Sequence, residues 1–335
     1  LERFSGSGGR TSVSPNGKYI SYFLDGDWWI YAIKSKTQMK ASDKEAGILT
    51  EYNYDRPDAP PAGRPFWSDD EKLLLYCDQN DIWAFDIANG KSRRLTTGRE
   101  QDMVYRIHGR GNRASEKFRK GDASSLKDGI LIQGRSRDYS STGFFMLKGG
   151  KMETLVFSEA KNSSLKFSVY NGKFTYVEER FDLPPRIRMG TRGKTGSLII
   201  VETNRHHGKY NFGKAQLISY TSSQGKKLGG ILHYPSDYDP AKKYPMVVEV
   251  YEKMSWKFHE YINPTLFNPT GFNTAVLAGN GYFVLRPDIY YMEGKAGKSA
   301  TDCVVAAVRK ALATASIDSS KIGLIGASFG GYETN

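Results

Sequence analysis

Two cysteines in 335 residues, Cys77 and Cys303, are too few for a disulfide framework. Neither stands at metal-ligand spacing from a histidine. No apolar run approaches the roughly 18 residues needed to cross a bilayer, so no membrane span is read. Histidines are scarce: His108, His206, His207, His233 and His259 are all there are. Low-complexity and collagen-like patterns are missing, and 39% hydrophobic with 25% charged residues is an ordinary globular balance. The abundant residues are aromatics and glycine, with 21 Tyr, 17 Phe and 35 Gly, which favour strands and tight turns. At about 100–200 residues per domain, the length suggests two domains or three.

The net charge of +12 is uneven. Residues before Ala215 carry +10 of it and the rest only +2. A basic first half raises an acidic partner or nucleic acid. The densest stretch, Arg106 to Lys120, includes Arg110, Arg113, Lys117 and Arg119 but has little aromatic interleaving. It reads as a solvated loop, so no nucleic-acid partner is expected.

An internal repeat orders the first half. Ser14–Ile33 and Ser68–Ile87 align 54 residues apart, with Ser14 on Ser68, Lys18 on Lys72, Tyr22 on Tyr76, Asp27 on Asp81 and Trp29 on Trp83. Each unit reads as two short strands around a polar turn, and Asn16-Gly17 and Asn89-Gly90 suit hairpins. Weaker strand pairs flank Gly149-Gly150 and Asn171-Gly172. Residues 10–200 are therefore serial antiparallel β-structure in units of about 40–50 residues, the length of a β-propeller blade. The span holds about four blades; an open β-sandwich is the alternative.

The pattern changes near residue 203. Residues 203–227 are polar and read as a linker. Strands are predicted over Leu228–Tyr234, Pro245–Tyr251, Gly281–Pro287 and Lys321–Ile325, the last short and buried. A helix is predicted over Thr301–Ala315, with Val304, Val305, Val308 and Leu312 at helical spacing and Thr301 or Asp302 as cap. Alternating strand and helix with apolar strands indicates a mostly parallel sheet covered on both faces.

The last strand runs into Gly326-Ala327-Ser328-Phe329-Gly330-Gly331, a G-x-S-x-G sequence. A nucleophile on a sharp strand-to-helix turn needs small neighbours two places to either side, because a larger side chain collides with the adjoining elements. Such a turn exposes the Ser328 hydroxyl and aims the Phe329 N–H at the reacting carbonyl oxygen. The pentapeptide alone is a weak signal; its place after an apolar strand and an amphipathic helix is what the mechanism demands. The alternative is a glycine-rich turn with an idle serine.

The segment DSSKIGLIGASFGGYET resembles the nucleophile region of the prolyl oligopeptidase family of serine peptidases, and GKKLGGILHYPSDYDPAKKYPMVVEVYE resembles the entry to that family's hydrolase domain. The resemblance implies a partial β-propeller over residues 1–202, a linker and entry over 203–227, and the N-terminal part of an α/β-hydrolase peptidase domain over 228–335. It implies Tyr251 as second oxyanion-hole donor beside the Phe329 N–H, with a buried strand tyrosine as the alternative. Glu252-Lys253-Met254 stand where the family usually has Gly-Gly-Pro, a departure that bears on the substrate pocket. The implied activity is hydrolysis of short peptides through an acyl-enzyme on Ser328, without metal or organic cofactor, in a periplasmic or secreted setting. Exo- or endopeptidase mode, residue preference and oligomeric state do not follow.

In α/β hydrolases the triad order is Ser, then Asp or Glu, then His. Every histidine here precedes Ser328, so the triad Asp and His are expected beyond residue 335. Both ends read as cut, and the stretch is expected to be a fragment, inactive and poorly stable alone. His206-His207 reads as a solvent-exposed pair, and His233 and His259 as structural. Some members of the family bind a substrate's free N-terminus with paired glutamates; Glu178-Glu179 reads instead as a solvated strand end, since adjacent strand residues face opposite ways. Asp288 reads as a pocket-lining loop residue. An esterase on the same scaffold and a non-catalytic propeller adaptor remain the alternatives.

Overall fold

Asn16-Gly17, Asn89-Gly90, Gly149-Gly150 and Asn171-Gly172 each fall between strands adjacent in one sheet, with Gly17 and Gly90 at φ 71° and 67°. The computed structural model describes residues 10–51, 59–108, 129–168, 170–265, 267 and 271–335. Most of the basic stretch after Arg106 lies outside the described residues. Sheet A comprises β1 (Thr11–Val13), β2 (Tyr19–Leu24), β3 (Asp27–Ala32) and β4 (Thr37–Lys40). Sheet B comprises β5 (Phe66–Trp67), β6 (Leu73–Cys77), β7 (Ile82–Asp86) and β8 (Lys91–Arg94). Sheet C comprises β9 (Met103–Ile107), β10 (Ile130–Ser136), β11 (Thr142–Lys148) and β12 (Lys151–Ser158). Sheet D comprises β13 (Lys161–Phe167), β14 (Lys173–Arg180), β15 (Leu183–Thr191) and β16 (Ser197–Glu202). Each is a meander of sequential strands. The chain divides into two compact units, one holding sheets A to C and the other, from Ser158 onward and with Asp138–Ser141, holding sheet D and the C-terminal sheet.

In the first unit the period of two along β6 and β7 explains the stacking. Leu74, Tyr76, Trp83 and Phe85 pack with Phe23, Trp28 and Ile30 of sheet A. Their neighbours Leu75, Cys77, Ile82 and Ala84 pack with Tyr105, Ile132 and Phe145 of sheet C. A strand buried on both faces reads as a continuous apolar run, which is what LLLYC is. Serial face-to-face stacking of four-stranded meanders is propeller-like rather than a two-sheet sandwich. The repeat also extends into the hydrogen bonds. Ser42 and Thr96 donate to Asp27 and Asp81 (2.6 and 2.7 Å) and accept from the Trp28 and Ile82 N–H groups (3.2 and 3.0 Å).

Sheet E is built from β17 (Ala215–Thr221), β18 (Lys227–His233), β19 (Tyr244–Glu249), β20 (Phe283–Pro287) and β21 (Ile317–Ile325), in the order β17-β18-β20-β19-β21. It corrects the mostly parallel expectation: β17–β18 and β18–β20 are antiparallel, and only β20–β19 and β19–β21 are parallel. The linker expected over 203–227 contains β17, whose Ile218 and Tyr220 alternate inward among polar neighbours. The final strand starts at Ile317, not Lys321; among the described residues it pairs with β19 on one side, and Leu324 is 52% exposed.

Three helices accompany this sheet: α2 (Thr274–Gly279), α3 (Ala296–Thr314) and α4 (Phe329–Thr334), α1 being the short Gly98–Gln101. Helix α3 begins five residues before the expected start. Thr301 is not a cap; its hydroxyl donates back to the Gly297 carbonyl (3.0 Å), and Asp302 accepts from the Ser223 N–H (3.1 Å). The buried face is Ala300, Cys303, Ala307 and Ala311, while Val305 is exposed. Small residues, not the valines, face inward, and that lets the helix lie close to its neighbours. Among the described residues no helix is long and apolar enough to cross a membrane.

Candidate active site

Two parallel strands set the frame. The Glu249–Ile325 pairing ends the β19–β21 ladder, and the Val250 N–H adds one more bond to the Ile325 carbonyl (2.8 Å). Both chains then leave the sheet together, one into Tyr251, the other through Gly326-Ala327-Ser328 into α4. Space at the turn is short. A Cβ at Gly326 would lie 2.1 Å from the Gly330 carbonyl oxygen, and one at Gly330 would lie 2.1 Å from that of Val250. Both obstacles are backbone and cannot swing away. Gly331 is different: a Cβ there meets only ordinary contact at 3.7 Å.

Ser328 sits at φ 55°, ψ −121° and is exposed. These are the angles of the first central residue of a type II′ turn, a position usually given to glycine. A serine held there carries strain of order 1–3 kcal/mol. The turn is closed by the Gly330 N–H on the Ala327 carbonyl and the Gly331 N–H on the Ser328 carbonyl, both 3.0 Å. Phe329 opens α4, so its N–H has no partner one turn back in the helix. Its ring packs between Tyr291 and Tyr332, each at 5.7 Å.

Tyr251 is 38% exposed, with its ring edge 3.3 Å from where a Gly330 Cβ would stand. It is not a buried strand tyrosine: β19 ends two residues earlier, and its hydroxyl makes no hydrogen bond among the described residues. The main chain after it is fixed by a residue that sequence reasoning placed wrongly. Asp288 is not a pocket-lining side chain but is buried, accepting from the Met254 and Ser255 N–H groups (2.7 Å each) and the Ser255 hydroxyl (2.5 Å). Burial pushes its carboxyl up, and the three donors oppose the rise. The sequence signal is weak: an acid just past a strand, 34 residues from its partner Met254. Glu249 pairs with the buried Arg286 on the adjoining strand (2.5 Å), another link that sequence reasoning missed.

The histidines have other partners. His108 packs edge-on to Phe144 (4.9 Å) and His259 Nε2 bonds the Ser140 carbonyl (2.8 Å). His233 is buried in β18 against Phe181, and burial holds it well below its ordinary pKa, so it is a neutral core ring. The His206-His207 pair is only half as expected: His206 is exposed, but His207 is half-buried, bonded to the Tyr261 hydroxyl and packed on Phe212. Burial, then the neighbouring His206, lowers its pKa. A cleft of about 580 Å³ opens beside this pair, and a second of about 460 Å³ beside His259; neither is lined by Ser328 or Tyr251. Among the described residues no group of three or more His, Cys, Asp or Glu is placed to hold a metal ion. Cys77 and Cys303 are buried free thiols, both pushed up by burial.

Glu178-Glu179 is not a solvated strand end. Glu178 is buried between Arg186 (2.5 Å) and Arg188 (3.1 Å), and Glu179 takes Lys161 (2.6 Å). The two carboxylates do point to opposite faces, and the cations on β13 and β15 that neutralise them are strand neighbours invisible to a one-strand reading.

No family model matches the chain, and no curated protein matches it. Among solved structures, a candidate dipeptidyl aminopeptidase IV from Bacteroides ovatus ATCC 8483 superposes over 97% of this chain with TM-score 0.65 and 18% identity. This chain spans 48%, about half, of that structure. Dipeptidyl peptidase 4 of Porphyromonas gingivalis overlaps with TM-score 0.46 at 14% identity, covering 97% of this chain and 65% of that one. The AtxE2 isopeptidase overlaps with TM-score 0.48 at 11% identity, covering 96% and 72%; these two overlaps are too loose to bear on function. Serial four-stranded, propeller-like meanders followed by a mixed sheet are thus a fold this chain shares with the Bacteroides ovatus protein.

Proposed function

We propose that the intact protein is a serine peptidase of the prolyl oligopeptidase type, cleaving short peptides through an acyl-enzyme on Ser328. The observation that carries this reading is the Ser328 turn: an exposed serine on a strained backbone, seated between two glycines that tolerate no Cβ, near a tyrosine whose hydroxyl makes no hydrogen bond among the described residues. The fold shared with a candidate dipeptidyl aminopeptidase supports it. In this reading residues 1–202 belong to a β-propeller, 203–227 lead out of it, and 228–335 begin an α/β-hydrolase domain.

The chemistry rests on the roles of these groups. The Ser328 oxygen attacks the scissile carbonyl carbon and its proton passes to a histidine base, which returns it to the leaving amine. The Tyr251 hydroxyl and the Phe329 N–H hold the negative charge that develops on the carbonyl oxygen. Water then releases the acyl group and restores the serine. The base and its acid partner are proposed to follow Ser328 in chain order, beyond Asn335. Glu178, already engaged by Arg186 and Arg188, is not offered as an anchor for a substrate amine.

Turnover of peptide anilides against simple aryl esters by the full-length protein tests the substrate class. Peptide cleavage that vanishes in Ser328→Ala is the expected result. Ester cleavage with indifference to peptides makes the protein an esterase, and no turnover of either makes it a non-catalytic adaptor.

A further inference from the structure

This inference rests on the proposed roles of Ser328 and Tyr251. The Tyr251 hydroxyl has no hydrogen bond among the described residues; its ring edge lies against Gly330, and the main chain on either side is held. On the N-terminal side, Val250 is bonded to Ile325 (2.8 Å) and its carbonyl abuts Gly330. On the C-terminal side, everything converges on Asp288. Its Oδ1 takes the N–H groups of Met254 and Ser255, and its Oδ2 takes the Ser255 hydroxyl. The next N–H, of Ile289, reaches back to the Glu252 carbonyl (3.3 Å).

Asp288 is itself held. Its N–H donates to the Gly229 carbonyl (2.9 Å), and its carbonyl accepts from the Tyr220 hydroxyl. A Cβ at Gly229 would lie 2.8 Å from the Ser255 hydroxyl oxygen and 3.3 Å from Asp288 Oδ2, so β18 closes the cage from below. With 4% exposure, the carboxylate has no access to substrate. Burying an acid is costly, and here three donors from a single loop compensate it. That loop is the one on which Tyr251 stands.

We propose that Asp288 is a positioning residue for the oxyanion hole: it fixes the Glu252–Ser255 segment so that the Tyr251 hydroxyl meets the developing oxyanion at Ser328. A hydroxyl displaced by about 1 Å loses most of its benefit, on the order of 10²-fold in rate.

The test is a double-mutant cycle in the full-length protein, reading kcat and KM for a peptide anilide. Asp288→Asn is expected to lower kcat by about 10–100-fold with KM changed less than about threefold. In a Tyr251→Phe background the same substitution is expected to cost less than about twofold, because the group it positions is gone. Should Asp288→Asn fail to fold, Ser255→Ala decides by the same criterion, with an expected loss of about 3–10-fold that disappears in Tyr251→Phe. Equal losses in both backgrounds, an unchanged kcat, or a loss carried by KM overturns the proposal. Those outcomes leave Ser328 untouched. Full activity in Ser328→Ala overturns the underlying reading instead.

Discussion

Gly330 faces the Val250 carbonyl so closely that a Cβ on it would stand 2.1 Å from the oxygen. The turn carrying Ser328 is thereby seated against the residue that precedes Tyr251. Backbone contact is thus one restraint on where the Ser328 turn stands relative to Tyr251.

Gly330→Ala is therefore expected to push the turn off β19. Reaction of Ser328 with a fluorophosphonate should slow by about 100-fold or more, and stability should fall by about 1–3 kcal/mol. Gly323→Ala, in β21 with open space around it, is the control and should do neither. Equal reactivity of Gly330→Ala and the parent protein would show that the seat is not needed.

Tyr251→Phe removes one proposed oxyanion donor and little volume. Loss of about 3–4 kcal/mol of barrier stabilisation is expected, seen as a fall in kcat of about 10²–10³ with KM nearly unchanged. A rise in KM alone would move Tyr251 from the oxyanion hole to substrate binding.

Glu178→Ala strips the counter-charge from Arg186 and Arg188 inside sheet D. Breaking such a pair should cost about 3–5 kcal/mol by denaturant unfolding. The exposed pair Glu202–Arg205 (3.3 Å) is the comparison, and Glu202→Ala should cost less than about 1 kcal/mol. Similar costs at both sites would contradict the burial argument.

Glu71 gives the acid limb of the stability curve a defined sign. Burial pushes its carboxyl up, but the Ser14 hydroxyl (2.6 Å), the Asn16 N–H (2.8 Å) and amide and Lys18 outweigh it, holding the pKa at about 2 against an ordinary 4.5. A depressed carboxylate stabilises the fold fully above pH 4.5, and that contribution is lost as pH falls from there through about 2. Denaturant unfolding from pH 6 downward should show a steeper loss in the parent than in Glu71→Gln. The variant should be less stable at neutral pH by about 1–3 kcal/mol. Parallel curves would contradict it.

The parts legible in the sequence are those with local causes. The Asn-Gly turns act within a few residues of themselves, and Gly326 meets the nearby Gly330 carbonyl; Gly330 shows in the sequence only as part of the glycine pattern, since its own obstacle, the Val250 carbonyl, is far along the chain. The hidden parts depend on partners far along the chain. Asp288 is an unremarkable acid until Met254 and Ser255 are brought to it, and Glu178 looks solvated until β15 supplies its arginines. The start of helix α3 is obscured because Gly297 interrupts the pattern while Thr301, a plausible cap, back-bonds inside the helix. The mixed order of sheet E comes from β17 and β18 folding back as a hairpin, and a polar surrounding disguises the first of these strands.

Active-site labelling tests the role of Ser328 most directly. The full-length protein is treated with a fluorophosphonate and the modified peptide identified by mass. A single adduct on the peptide containing Ser328, absent from Ser328→Ala and formed in step with loss of peptidase activity, is the expected result. No adduct on the folded protein, or one at another residue that survives Ser328→Ala, would contradict the assignment.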